Sequence, residues 1–74
     1  LDVDALLSRL AVAYEDETLS AIDGLKIDFE SAWVHMRPSN TEPILRVYAE
    51  APTAEEAQAI ADRFKQELSD LIRE

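Results

Sequence analysis

Seventy-four residues at 47% hydrophobic content can form one core but not a second, and a chain this short buries only about 60% of the surface its unfolded form exposes. With no cysteine there is no disulfide and no thiolate site, and a single histidine argues against structural zinc. Seven basic against sixteen acidic residues give a net charge of −9. That field repels phosphate backbones and anionic membranes, and no apolar run approaches the roughly 20 residues that span a bilayer, so neither nucleic acid nor membrane is an expected partner.

The first segment reads as a helix. Val3, Leu6, Leu7, Leu10 and Tyr14 recur at three- and four-residue spacing and share one face. Asp2 or Asp4 can cap its start, where a carboxylate also meets the positive end of the dipole. The run Glu15-Asp16-Glu17 would place negative charge at the negative end, so the helix should stop near Tyr14.

From Thr18 the period changes to two. Thr18 to Ile22 is a short strand candidate, and Asp23-Gly24 is a type I′ hairpin signal. Leu25, Ile27 and Phe29 alternate with Lys26, Asp28 and Glu30, as in a half-buried strand. Trp33, His35 and Arg37 alternate with Val34 and Met36 in a third strand. Ile44 to Ala49 forms a fourth, with Leu45, Val47 and Ala49 on one face. Glu30-Ser31 and the stretch from Pro38 to Pro43 are the breaks.

The final segment has a clear start. Thr53 and Glu56 form a capping box after Pro52, and Ala57, Ile60, Ala61, Phe64, Leu68, Leu71 and Ile72 then line one face of a helix of about 20 residues. Short connections make the strands antiparallel, and two amphipathic helices must bury their stripes on the sheet. The expected fold is an α+β two-layer sandwich, an antiparallel sheet of about four strands with two helices on one face. Residues 1–74 are expected to form one domain. The only methionine is Met36 and the chain begins at Leu1, so a longer parent is expected.

Charge is unevenly spread. Residues 25–52 carry four acids and three bases, nearly balanced, whereas both flanks are strongly acidic. If the chain binds an anion, that middle stretch is the place. Within it lies Arg37-Pro38-Ser39-Asn40-Thr41-Glu42-Pro43. Two prolines restrain its ends, which lowers the ordering cost on binding. Ser39, Asn40, Thr41 and free backbone amides offer neutral donors, and Arg37 offers a planar fork that suits a phosphate. Ser-Asn-Thr between prolines is also an ordinary turn composition, so composition alone leaves both readings open.

That seven-residue stretch, followed by Ile44-Leu45-Arg46-Val47-Tyr48-Ala49-Glu50, closely resembles the C-terminal domain of the α-D-phosphohexomutases. Ile22 to Asp28 and the terminal acidic helix are similar to that family too, so the resemblance covers essentially residues 17–73. It implies a TATA-binding-protein-like fold and a role in moving phosphate between C1 and C6 of a hexose. The grip on the phosphate that is not transferred would fall on Arg37, Ser39, Asn40 and Thr41. Asn40 is similar to the phosphomannomutase/phosphoglucomutase branch. A hexose phosphate and the other domains of a parent enzyme are the implied partners, and a cytoplasmic location is expected.

The catalytic parts of the family's pattern are missing. His35 follows no serine, as the phosphoserine loop would require. Asp2-Val3-Asp4 begins like the family's aspartate-rich metal loop, but Leu6 breaks it. Gly24 is the only glycine, so the sugar-contacting loop is absent as well. The resemblance therefore implies no catalytic residue and no cofactor in this domain, with magnesium expected in a full-length enzyme and no activity in the chain alone. A small regulatory or protein-interaction module is the alternative from another class.

Among other residues, His35 reads as a surface or domain-contact histidine, Trp33 as a packing or interdomain-contact residue, and Lys26 as a solvated strand residue. Arg46 reads as a structural partner of Glu42. Glu55, Glu56, Asp62, Glu67 and Asp70 read as a solvated helix face, and Tyr14 and Phe64 as core.

Overall fold

Helix α1 (Val3–Ala13) opens the fold, and strands β1 (Thr18–Ser20), β2 (Leu25–Asp28), β3 (Trp33–Pro38) and β4 (Leu45–Glu50) follow. Helix α2 (Ala54–Arg73) closes it. The computed structural model describes residues 3–21, 23–38 and 45–73. All neighbouring strands are antiparallel, in the order β1-β2-β3-β4.

Register decides which residues share a face. Leu25 pairs with Met36, which pairs with Val47; Ile27 pairs with Val34, which pairs with Ala49. Residues directly opposite across a ladder point to the same side. Both helices pack on that side. Leu6, Leu7 and Leu10 of α1 and Phe64 and Leu68 of α2 are buried with Leu25, Ile27, Val34 and Met36 in one core. Phe64 stands at its centre, fully buried. The α+β arrangement expected from the periodicity is therefore present, with both amphipathic stripes spent on one side of the sheet.

The helix ends follow the charges. α1 gives way to a turn at Tyr14, just before the acidic run, with the Glu17 amide donating to the Tyr14 carbonyl at 2.9 Å. At the start of α2 the Glu56 amide donates to the Thr53 hydroxyl at 3.1 Å. That is half of the expected capping box. The Glu56 carboxylate makes no return bond to the Thr53 amide among the described residues.

The two helices are tied together at one end by a polar clasp. The Tyr14 hydroxyl donates to the Glu67 carboxylate, 2.7 and 2.6 Å from its two oxygens, and accepts from Arg63 Nη2 at 2.8 Å. Arg63 Nε also approaches Glu67 at 3.3 Å, and its guanidinium lies over the Tyr14 and Phe64 rings, 5.5 and 5.3 Å from their centroids. Glu67 is thus half-buried and engaged across the helix pair, not part of a solvated face. Burial pushes the Tyr14 phenol above its ordinary value of 10.0, and the bond to Glu67 pushes the same way while Arg63 opposes it.

One turn differs from the sequence reading. Ser20 pairs with Lys26, leaving residues 21–25 between them, an odd number. A two-residue I′ loop on Asp23-Gly24 needs an even number, so the connection is wider. In it Gly24 takes φ +80°. A left-handed residue closing a three-residue loop is the usual alternative to the I′ turn. The break expected at Glu30-Ser31 is a tight hairpin, where the Phe29 amide donates to the Ala32 carbonyl at 2.8 Å. No helix among the described residues is long and apolar enough to cross a membrane.

Candidate functional site

Alternation along the strands leaves the other face of the sheet without a helix. Lys26, His35 and Tyr48 form one row across it. Asp28, Trp33 and Glu50 form a second, and Arg37 and Arg46 a third. All three bases of residues 25–52 therefore fall on this face, whereas twelve of the sixteen acids lie outside residues 25–52.

Arg37 and Arg46 are ladder partners. Direct partners have Cβ atoms about 5 Å apart, and like charges so placed destabilise a sheet unless something neutralises them. Arg46 has no ion pair among the described residues. Glu42, its expected partner, lies outside them. Arg37 makes one ion pair among the described residues, Nη2 to Asp23 Oδ2 at 2.7 Å, and its side chain is 46% exposed. The carboxylate thus takes one end of the fork and leaves the group open to solvent.

The residues expected to supply neutral donors, Ser39, Asn40 and Thr41, lie outside the described residues. Their anchors do not. Pro38 at the end of β3 and Leu45 at the start of β4 are partners across the ladder. The chain therefore leaves and re-enters the sheet at neighbouring points, one residue beyond the arginine pair.

The β1–β2 connection is pressed against this same end. A Cβ on Gly24 would lie 2.1 Å from the Met36 carbonyl oxygen and 3.0 Å from the Arg37 Cα. Only glycine allows that approach. His35 Nε2 is hydrogen-bonded to the Asp23 carbonyl. A carbonyl can only accept, so Nε2 carries the proton. His35 holds the turn that carries Asp23, and it does not stand free beside a ligand.

The remaining aromatic and basic groups of the face are engaged with each other. Trp33 Nε1 donates to Glu50 at 2.9 Å. Lys26 Nζ lies 5.0 Å from the centroid of the Trp33 ring and 3.6 Å from Asp28. Asp28, Trp33 and Glu50 sit at the far end of β2, β3 and β4 from Arg37 and Arg46, and Lys26 lies one row nearer.

Neither of two sizeable clefts in the fold is lined by Arg37 or Arg46. A cleft of about 470 Å³ lies between α1 and the β1–β2 turn and presents the carboxylates of Asp4 and Asp23. Another of about 440 Å³ presents Asp28, Glu30 and Glu50. Both repel anions. The cationic pair stands on open surface, so any anion held there stays partly hydrated. Nor does any group of three or more His, Asp or Glu converge on a point that could hold a metal among the described residues. Magnesium has no fitting donor set there.

Sequence reasoning placed Arg37 correctly at the end of β3 and missed Asp23 and the position of Arg46. The near-neutral charge of residues 25–52 was the available signal for Arg46. Nothing local signalled Asp23.

Fold and geometry define a small α+β domain with paired arginines on an open sheet face beside a proline-bracketed connection. Residues 2–67 match the profile of the phosphoglucomutase/phosphomannomutase C-terminal domain, and the chain belongs to that family. A probable phosphoglucosamine mutase of Methanopyrus kandleri is 39% identical over 77% of the chain. A phosphoglucomutase/phosphomannomutase of Thermococcus kodakarensis is 37% identical over 77% of it, and a phosphomannomutase/phosphoglucomutase of Pseudomonas putida 38% identical over 72%. The chain spans only 11 to 13% of the length of these relatives. Near-equal identities run across differently named mutases.

Proposed function

We propose that this chain grips the non-transferred phosphate of a hexose phosphate, as one domain of a phosphohexomutase that moves phosphate between C1 and C6. The observation that carries the reading is the Arg37–Arg46 ladder pair at the mouth of the proline-bracketed connection. Two arginines paired across a ladder are unfavourable alone and favourable around a dianion. On a body of net charge −9 they need a structural or functional reason.

In this reading Arg37 and Arg46 supply charge, and Ser39, Asn40, Thr41 and backbone amides supply neutral donors. Arg46 extends the grip beyond the residues expected from the resemblance. The substrate would be a glucose or mannose phosphate, in keeping with Asn40. The clamp performs no bond-breaking step. It contributes remote binding energy that holds the sugar for reaction by groups on other domains. The chain alone should bind weakly and turn nothing over.

Calorimetric titration of the chain and its variants with mannose 1-phosphate tests this. A charge-assisted hydrogen bond contributes about 1.5–3 kcal/mol, so Arg37→Ala should weaken binding by about 10- to 100-fold. Arg37→Lys should recover part of the loss, keeping charge without the fork. Unchanged affinity in Arg37→Ala would refute the reading.

A further inference from the structure

Asp23 lies in a turn that nothing in the sequence tied to an anion site. Three separate contacts fix it against β3. The Gly24 backbone is packed so closely on Met36 and Arg37 that no side chain fits. His35 Nε2 bonds the Asp23 carbonyl. The Asp23 carboxylate meets Arg37 Nη2 at 2.7 Å. The turn that carries the carboxylate is therefore held in place, while its partner is a long side chain on open surface.

Resting on the proposed phosphate grip, we infer that Asp23 is a positioning residue that holds the Arg37 guanidinium ready for the phosphate of a hexose phosphate. An unanchored arginine has several rotamers to lose on binding, and Arg46 directly across the ladder pushes Arg37 away. A fixed acceptor on one nitrogen counters both effects. The Arg37 side chain remains 46% exposed, which leaves its other donors available to a ligand. The same carboxylate carries a negative charge near the incoming dianion, so its hydrogen bond helps and its charge hinders. Alanine and asparagine at this position separate the two.

The test uses the ¹⁵N-labelled chain titrated with mannose 1-phosphate and with inorganic phosphate, comparing wild type, Asp23→Ala and Asp23→Asn. Immobilising one side chain corresponds to about 2- to 10-fold in affinity, so Asp23→Ala should weaken binding by that factor. Asp23→Asn keeps an acceptor at the same place and loses the charge. It should bind as well as wild type or better, while Asp23→Ala should lose affinity at an unchanged melting temperature, which a merely structural role would not allow. Asp23 is 57% exposed, so folding should survive, and thermal melts check this. Asp23→Ser replaces alanine if that variant unfolds. If Asp23→Ala, or Asp23→Ser in its place, binds as tightly as wild type or tighter, Asp23 is a competitor for Arg37 and the inference is wrong while the grip stands. If wild type does not bind, or if Arg37→Ala binds equally well, the grip fails and the role of Asp23 falls with it.

Discussion

Replacing Gly24 by alanine should destabilise the chain by about 2–4 kcal/mol. Two terms combine. At φ +80° an L-residue pays roughly 1–2 kcal/mol for the left-handed conformation. The new methyl carbon would also sit 2.1 Å from the Met36 carbonyl oxygen. That atom is backbone, inside the β2–β3 and β3–β4 ladders, so it cannot swing aside, and relief requires a strand shift of the overpacking kind, about 1–3 kcal/mol. The lower entropy of the unfolded alanine chain offsets only about 0.4–1 kcal/mol. A domain of this size has about 4–11 kcal/mol in total, so the loss is a large fraction. At about 4–8 °C per kcal/mol, the melting temperature should fall by roughly 10–30 °C in circular dichroism. Gly24→Asn separates the terms. Asparagine tolerates left-handed torsions, but its Cβ meets the same carbonyl, so it should be nearly as damaging. A Gly24→Ala melt within about 3 °C of wild type would refute the close packing of the turn on β3. Full recovery by asparagine would show that torsion alone matters.

Phe64 is fully buried at the centre of the core, so Phe64→Ala should cost about 3–5 kcal/mol and threaten folding, read as loss of the cooperative urea transition. Tyr14 gives a pH signature. Its phenol in the folded state titrates above 10.0, so the stability it contributes is fully present below about pH 10 and is lost as pH rises through the folded value. Wild type should therefore lose stability on alkaline titration more steeply than Tyr14→Phe. Equal slopes would show that the clasp with Glu67 and Arg63 does not hold the phenol protonated.

The sequence was most informative where one local rule acted alone. The three- and four-residue spacing of Leu6, Leu7 and Leu10 and the alternation of Leu25 and Ile27 named the buried faces, because periodicity is a property of one element. The acidic run after Tyr14 and the hydroxyl of Thr53 named two helix ends for equally local reasons. What depends on register was hidden. Arg46 faces Arg37 because β3 and β4 pair at Pro38 and Leu45, and the intervening stretch does not dictate that pairing. Asp23-Gly24 looked like a two-residue hairpin, but the pairing of Ser20 with Lys26 widened the loop and turned the aspartate onto Arg37. Glu67 looked solvent-facing by helical position until Tyr14, 53 residues away, reached it.

The most direct measurement for the proposed grip is an amide chemical-shift map of the ¹⁵N-labelled chain on addition of mannose 1-phosphate. Saturable shifts are expected on Arg37, on residues 39–42 and on Arg46, with smaller ones at Asp23 and Gly24, and none along α2. Shifts scattered over the helices, or none at millimolar ligand, would contradict it.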